Sequence, residues 1–294
     1  MHTQIQSITF ASLSKRPIVE VSRISSKDFP PLKIAASSYL NSAPLIWSFL
    51  HGSLRGVADF VDPVPARCAQ LLAQEEVDVA LVPVIEYQRI PDVSLVPDVC
   101  VASKREVRSV ILVSRKKGLE NISSVALDES SRTSATLVKI IFREFLNREP
   151  TWSTHSPDLE KMLEQNDAAL MIGDPAMIFP REGLSVWDMA GLWRNYTDLG
   201  FVFAMWAVRN NAFERASKVD FSAARDEGVE HKTEIVEQYH KLLGLSRESL
   251  RHYLDENISF SVDDQLRKGL ELYFQLAHKH GLLSELKPLK TPGQ

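Results

Sequence analysis

Cysteine is scarce in this chain: 294 residues contain only Cys68 and Cys100. Neither has a partner at CxxC or metal-ligand spacing, so no redox pair or zinc site is expected and both read as buried thiols. The eight histidines are scattered, and close pairs such as His278 and His280 lack an HExxH frame or a carboxylate at ligand spacing, so no metal and no cofactor is expected. Long apolar runs are missing too. None reaches the ~18 residues that span a bilayer, and the N-terminus lacks the apolar region and cleavage site of a secretory signal. The expectation is a cytoplasmic protein with no membrane partner. Positive charge is not concentrated: the formal net charge is -4 and no Lys/Arg stripe interleaves with aromatics, so nucleic acid is not an expected partner. Also absent are GxGxxG after a strand, a Walker-type GxxxxGK, a GxSxG elbow and an EF-hand loop, which removes the usual support for nucleotide and calcium functions.

What is present fits an ordinary globular protein, 44% hydrophobic and 24% charged, and long enough for two cores. Residues 1–32 are rich in Ser, Arg and Lys and poor in acids, and read as a disordered extension outside the fold. From residue 33, short β-type runs alternate with helical segments, the pattern of a mainly parallel sheet covered by helices. Strands are expected at 33–36, 58–61, 77–82, 94–101, 107–114, 125–127, 152–155, 168–172 and 201–208. Helices are expected at 44–50, 65–74, 133–146 and 158–165. In the third of these, Leu137, Ile141 and Phe145 make the narrow apolar stripe of a helix packed on a sheet. After Asn211 the chain becomes charged and helix-forming, with Ser246 and Ser261 as expected helix starts. The two extended segments around residue 103 read as a crossover between lobes, which gives one lobe from 33–110 plus 207–294 and another from 111–206.

In open α/β sheets ligands lie beyond the carboxyl ends of the strands, so the residues just after each strand carry the information. Ser37 to Leu45 is a polar turn entering a helix with Pro44 near its start, where free amides can face an anion and Asn41 can donate or accept; a well-capped helix entrance explains it equally. Asp128 to Ser134 sets Ser130, Ser131, Arg132, Thr133 and Ser134 at a helix mouth. Capping needs one Ser, and the surplus of donors suits a carboxylate. Gly173 and Asp174 before Pro175 read as a close-approach glycine and a cap. Strand alternation puts Ser109 on one face with Val107, Ile111 and Val113, where a small satisfied residue is the simpler reading. Glu86 is a candidate general base, with a helix-surface carboxylate the commoner explanation.

Together these segments resemble the chorismate dehydratases of the futalosine route to menaquinone, the MqnA family. The likeness runs in order through Tyr39-Leu40-Asn41-Ser42-Ala43-Pro44-Leu45, Asp78-Val79-Ala80-Leu81-Val82-Pro83 and Ser109-Val110-Ile111-Leu112-Val113-Ser114. It continues through Val125 to Ser134, Leu170-Met171-Ile172-Gly173-Asp174-Pro175-Ala176, and Phe201-Val202-Phe203-Ala204-Met205-Trp206-Ala207-Val208. Tyr-Leu-Asn followed by Pro-Leu favours the dehydratase over the related MqnD-type enzymes. One departure is Thr197-Asp198-Leu199-Gly200, where the family often has Thr-Gly-Leu-Pro. The resemblance implies a two-lobed α/β fold of the type II periplasmic-binding-protein class, with mixed, mainly parallel sheets and helices on both faces. It implies a hydro-lyase that removes water from chorismate, a small dicarboxylate, to give 3-[(1-carboxyvinyl)oxy]benzoate, with the substrate's own carboxylate as base. On this reading Asn41 and Ser109 serve the reacting end, while Tyr39, Ser130 to Ser134, Gly173 and Asp174 bind substrate. The rival reading is a non-catalytic binding protein for a small anionic solute.

Overall fold

The computed structural model describes residues 31–290. Residues 1–30 of the expected extension 1–32 lie outside the described residues, whereas Leu32 belongs to the first strand, which begins one residue earlier than expected. Among the described residues the strands are β1 Leu32–Ala35, β2 Ala58–Val61, β3 Val79–Pro83, β4 Val93–Ser103, β5 Val110–Ser114, β6 Ser124–Asp128, β7 Thr151–His155, β8 Ala168–Ile172, β9 Ser185–Asp188 and β10 Phe201–Arg209.

They form two five-stranded sheets, ordered β2-β1-β3-β10-β4 and β7-β6-β8-β5-β9. In each, the βαβ units pair in parallel, β1 with β2 and β3, and β6 with β7 and β8. The strands that carry the chain between the sheets enter antiparallel: β10 pairs with β3 and β4, and β5 with β8 and β9. A helix-linked strand must return in parallel, while a strand arriving from the other sheet is free of that constraint. The sheets are mixed, with less parallel pairing than the helix–strand alternation alone suggests.

The central strands are buried along their whole length, as in the Val79–Pro83 and Ala168–Ile172 runs, because both faces carry helices. Helix Thr133–Ile140 buries Leu137 and, just beyond its end, Ile141, while a π-helical turn over Ile141–Phe145 leaves Phe145 half-buried and stacked on Tyr196 at 4.5 Å. The expected single helix to residue 146 is thus two pieces. Strand β9 was not expected. Because β10 pairs within the first sheet from Phe201 on, the return crossing lies between Asp188 and Phe201, earlier than residue 206.

The C-terminal portion is helical, with Phe221–Glu230, Lys232–Leu243, Arg247–His252 and Asp264–Lys279 as its main elements. Ser246 caps as expected, its hydroxyl accepting from the Ser249 N-H. The last long helix is capped by Asp263 rather than Ser261, since it is the Asp263 carboxylate that accepts the Leu266 N-H. No helix among the described residues is long and apolar enough to cross a membrane.

Candidate functional site

The carboxyl ends of β1, β3, β6 and β8 converge on a cavity between the two sheets. Its floor is apolar, built by Leu81, Pro83, Val101, Val110, Ile172 and Phe203. Phe203 and Ala204 both face it although they are neighbours on one strand, because a register shift between Val202 and Ala204 interrupts the pleat of β10. Polar groups occupy the rim: Ser37, Tyr39, Asn41 and Ser42 from the turn after β1, and Ser130, Ser131, Arg132, Thr133 and Ser134 after β6. No carboxylate, imidazole or amine stands among the lining residues.

The turn after β1 is anchored on several sides. Asp62 accepts both the Ser38 N-H, at 2.8 Å, and the Ser38 hydroxyl, at 2.5 Å. Tyr239 donates its hydroxyl to the Ser38 carbonyl, and Ser42 Oγ donates back to the Ser37 carbonyl at 2.5 Å. Ser42 precedes the helix Ala43–Leu50 yet does not cap it, so the capping explanation of this turn fails. Asn41 is half-buried at the cavity, and its side chain makes no hydrogen bond to another described residue.

The helix mouth after β6 is arranged differently. Ser130 is committed, its N-H and hydroxyl both donating to Asp128 Oδ1 at 2.8 and 2.6 Å. Burial raises the Asp128 carboxyl above its ordinary value, and these two donors work against that rise. Thr133 is also committed: its hydroxyl accepts from the Ile85 N-H at 3.3 Å and its carbonyl from the Tyr273 hydroxyl at 2.9 Å. Ser131, Arg132 and Ser134 keep their side chains without a hydrogen-bond or ion-pair partner among the described residues. No side chain caps helix Thr133–Ile140, so its first amides are left without a capping partner at the cavity-lining residues. Capping therefore does not account for this cluster of hydroxyls.

Gly173, at φ +67°, brings bare backbone to the cavity, and a Cβ there would lie 2.8 Å from the Tyr39 ring. Burial, with Asp128 and Asp174 nearby, pushes the Tyr39 phenol above its ordinary value, so it stays protonated. Asp174 does not line the cavity and does not cap a helix with its side chain; its buried carboxylate accepts the Leu40 N-H at 3.0 Å.

Ser109 is a small buried residue whose hydroxyl is satisfied, on the opposite side of the chain from Val110, which lines the cavity. It precedes β5, and Arg108 at φ +61° reverses the chain between Val107 and Ser109, so alternation does not run through this segment. Val110 faces the cavity, while the Ser109 hydroxyl sits behind the wall and accepts from the buried Tyr253 hydroxyl at 2.6 Å. The Ser109 carbonyl accepts the Gly173 N-H at 2.8 Å and so helps set the glycine turn. Glu86 pairs with Arg89 at 2.7 Å on its own short helix and takes no part in the cavity.

Residues that sequence reasoning missed hold this frame together. Asp188, which caps helix Met189–Thr197, accepts the Val107 and Arg108 amides as well as that of Gly191 and so fixes the reversal before Ser109. Tyr239, Tyr253 and Tyr273 reach from the C-terminal helices to Ser38, Ser109 and Thr133, one for each segment around the cleft. A tyrosine on the buried stripe of a helix needs a partner for its hydroxyl, and that need was the available signal.

A family model described as menaquinone biosynthesis matches residues 32–279. The chain belongs to this menaquinone biosynthesis family. It is 32% identical over 264 residues to the chorismate dehydratase of Thermus thermophilus, covering 83% of this chain and 94% of that protein. Among solved structures, a protein of Archaeoglobus fulgidus matches with a TM-score of 0.72 at 16% identity, over 86% of this chain and 98% of the other. The periplasmic aliphatic sulphonate binding protein of Escherichia coli matches with a TM-score of 0.57 at 16% identity, over 90% and 94% of the two chains. The two-sheet architecture is that of the periplasmic binding proteins, and at these identities the structural matches speak for the fold alone.

Proposed function

We propose that the protein is a chorismate dehydratase, a hydro-lyase that forms 3-[(1-carboxyvinyl)oxy]benzoate for menaquinone biosynthesis. The observation that carries this reading is a single cavity in which Asn41 and the uncommitted donors Ser131, Arg132 and Ser134 surround an apolar floor. Such a floor suits a carbocyclic ring, and such a rim suits the carboxylates of a dianion. Family membership and the Thermus relative support the same assignment.

The reaction removes a ring hydrogen and the neighbouring hydroxyl, and aromatisation drives it. A cavity lined by no carboxylate, imidazole or amine offers no ordinary side-chain base. The substrate's enolpyruvyl carboxylate takes that part, and the protein supplies position and preorganised donors. Asn41, on a turn held by Asp62 and Tyr239, orients the departing hydroxyl. Ser131, Ser134, the amides at the helix start and Arg132 hold a carboxylate. Tyr39 and Gly173 close the cavity around the ring.

The test is to incubate the purified protein with chorismate and follow the loss of its diene absorbance together with the appearance of the benzoate product. An unchanged spectrum with saturable binding indicates a solute-binding protein instead, and turnover only of the cyclic-futalosine precursor indicates MqnD-type chemistry.

A further inference from the structure

The turn that carries Asn41 meets the opposite side of the cleft at two adjacent points. The Leu40 N-H donates to Asp174 Oδ1 at 3.0 Å, joining the turn after β1 in the first sheet to the turn after β8 in the second, across 134 positions of sequence. Next to it, the Tyr39 ring rests on Gly173, where no Cβ fits. The turn's other anchors come from the first-sheet side of the molecule, from Asp62 and Tyr239, and from bonds within the turn itself. Leu40 is thus the backbone amide through which the Asn41 turn is gripped from the second-sheet side.

We propose that Gly173 and Asp174 form a catch that holds the Tyr39 to Asn41 turn closed over the cleft, with Asp174 a positioning residue for Asn41. The role of Asn41 rests on the proposed function, whereas the catch itself does not. Burial pushes the Asp174 carboxyl up to about 7, and the Leu40 N-H works against that rise. The groups facing it are the phenols of Tyr39, Tyr239 and Tyr253, from the turn after β1 and from two C-terminal elements; burial raises each, so they stay neutral. Asp62 and Asp128 act on those phenols rather than on Asp174. An ionised acceptor makes the stronger hydrogen bond, so the catch tightens as pH rises through about 7 and loosens below it.

The experiment is amide hydrogen exchange on the full chain without ligand, reading peptides over residues 36–45 from pH 5.5 to 8.5 with intrinsic exchange divided out. It is run on wild type, Asp174→Ala and Asp174→Asn, with kcat and KM for chorismate measured in parallel. Asp174→Ala is expected to exchange at least about tenfold faster in this segment, on the scale of one lost charge-assisted hydrogen bond, with β3 and β8 peptides unchanged. Asp174→Asn keeps a neutral oxygen in place, and is expected to show the protection that wild type has below pH 7, between Asp174→Ala and wild type at high pH, and to regain part of the lost turnover while abolishing the pH dependence near 7. Wild-type protection in a folded Asp174→Ala overturns the catch. If that variant does not fold, wild-type protection that stays level across pH 7 overturns it instead. A chain inert toward chorismate that still loosens in Asp174→Ala sinks the proposed function and leaves the catch standing; an active wild type with an unaltered Asp174→Ala does the reverse.

Discussion

The two polar walls of the cleft are built on opposite plans. The turn after β1 spends its backbone and hydroxyl groups on being held: Ser38 by Asp62 and Tyr239, Ser42 by the Ser37 carbonyl, Leu40 by Asp174. Asn41 and Ser37 are the side chains left over there, on a turn with little freedom. The helix mouth after β6 commits Ser130 and Thr133, and leaves Ser131, Arg132, Ser134 and the first amides open. Donors on a fixed mount suit a group whose geometry matters in the transition state, and several open donors at a helix N-terminus suit a charge that must be gripped. On this comparison, substitutions in the first wall lower kcat and those in the second raise KM.

The sharpest way to break the comparison is Asn41→Ala. Removing one preorganised donor from the transition state is expected to lower kcat at least about a hundredfold with the fold intact, measured by steady-state turnover of chorismate and by thermal melting. Near-normal kcat removes Asn41 from the chemistry. Ser109→Ala is the control behind the same wall. It leaves the buried Tyr253 hydroxyl unpaired and should show itself in stability, by about 1 to 3 kcal/mol in denaturant titration, more than in turnover.

The second wall is tested by Arg132→Ala. Arg132 is exposed at the rim and forms no ion pair with a described residue, so its removal disturbs little of the fold. KM for chorismate is expected to rise about tenfold, with kcat within a few-fold of wild type, as when one charge-assisted hydrogen bond of about 1.5 to 3 kcal/mol is lost. The wild-type advantage should shrink with added salt, since an exposed guanidinium is screened. An effect on kcat equal to that on kcat/KM assigns Arg132 to the transition state and dissolves the division between the walls.

How much of this was legible depended on whether local sequence controlled the geometry. Strands at 58–61 and 168–172 fell where expected because short β-type runs bounded by polar turns leave little choice of ends. Asn41 and residues 130–134 share one cavity because strand carboxyl ends collect ligand-facing turns whatever the details. The reversal at Arg108 just before Ser109 was not legible, because it breaks the pleat after Val107 and is imposed by Asp188, eighty positions away in the chain. Strand β9 escaped notice because Ser185–Asp188 is four half-buried residues with no apolar run. The tyrosine anchors join positions more than a hundred residues apart, a pairing that neither periodicity nor motif encodes.

The smallest effect is expected where neither wall is touched, in the turn of the return crossing. Asp198 ends helix Met189–Thr197 at φ +57° in the left-handed region, where the resemblance leads one to expect glycine. An L-residue pays about 1 to 2 kcal/mol for this conformation, less for Asp than for most, while glycine loses about 0.5 to 1 kcal/mol through the greater freedom of its unfolded chain. The exposed contact of Asp198 with Arg194, 3.6 Å long, adds little on the other side. Asp198→Gly is therefore expected to stabilise by under about 1 kcal/mol, read as a small rise in Tm, with kcat and KM unchanged. A change in kcat or KM with this substitution means that the crossing helps set the distance between the walls, and that donor placement alone does not explain their division of labour.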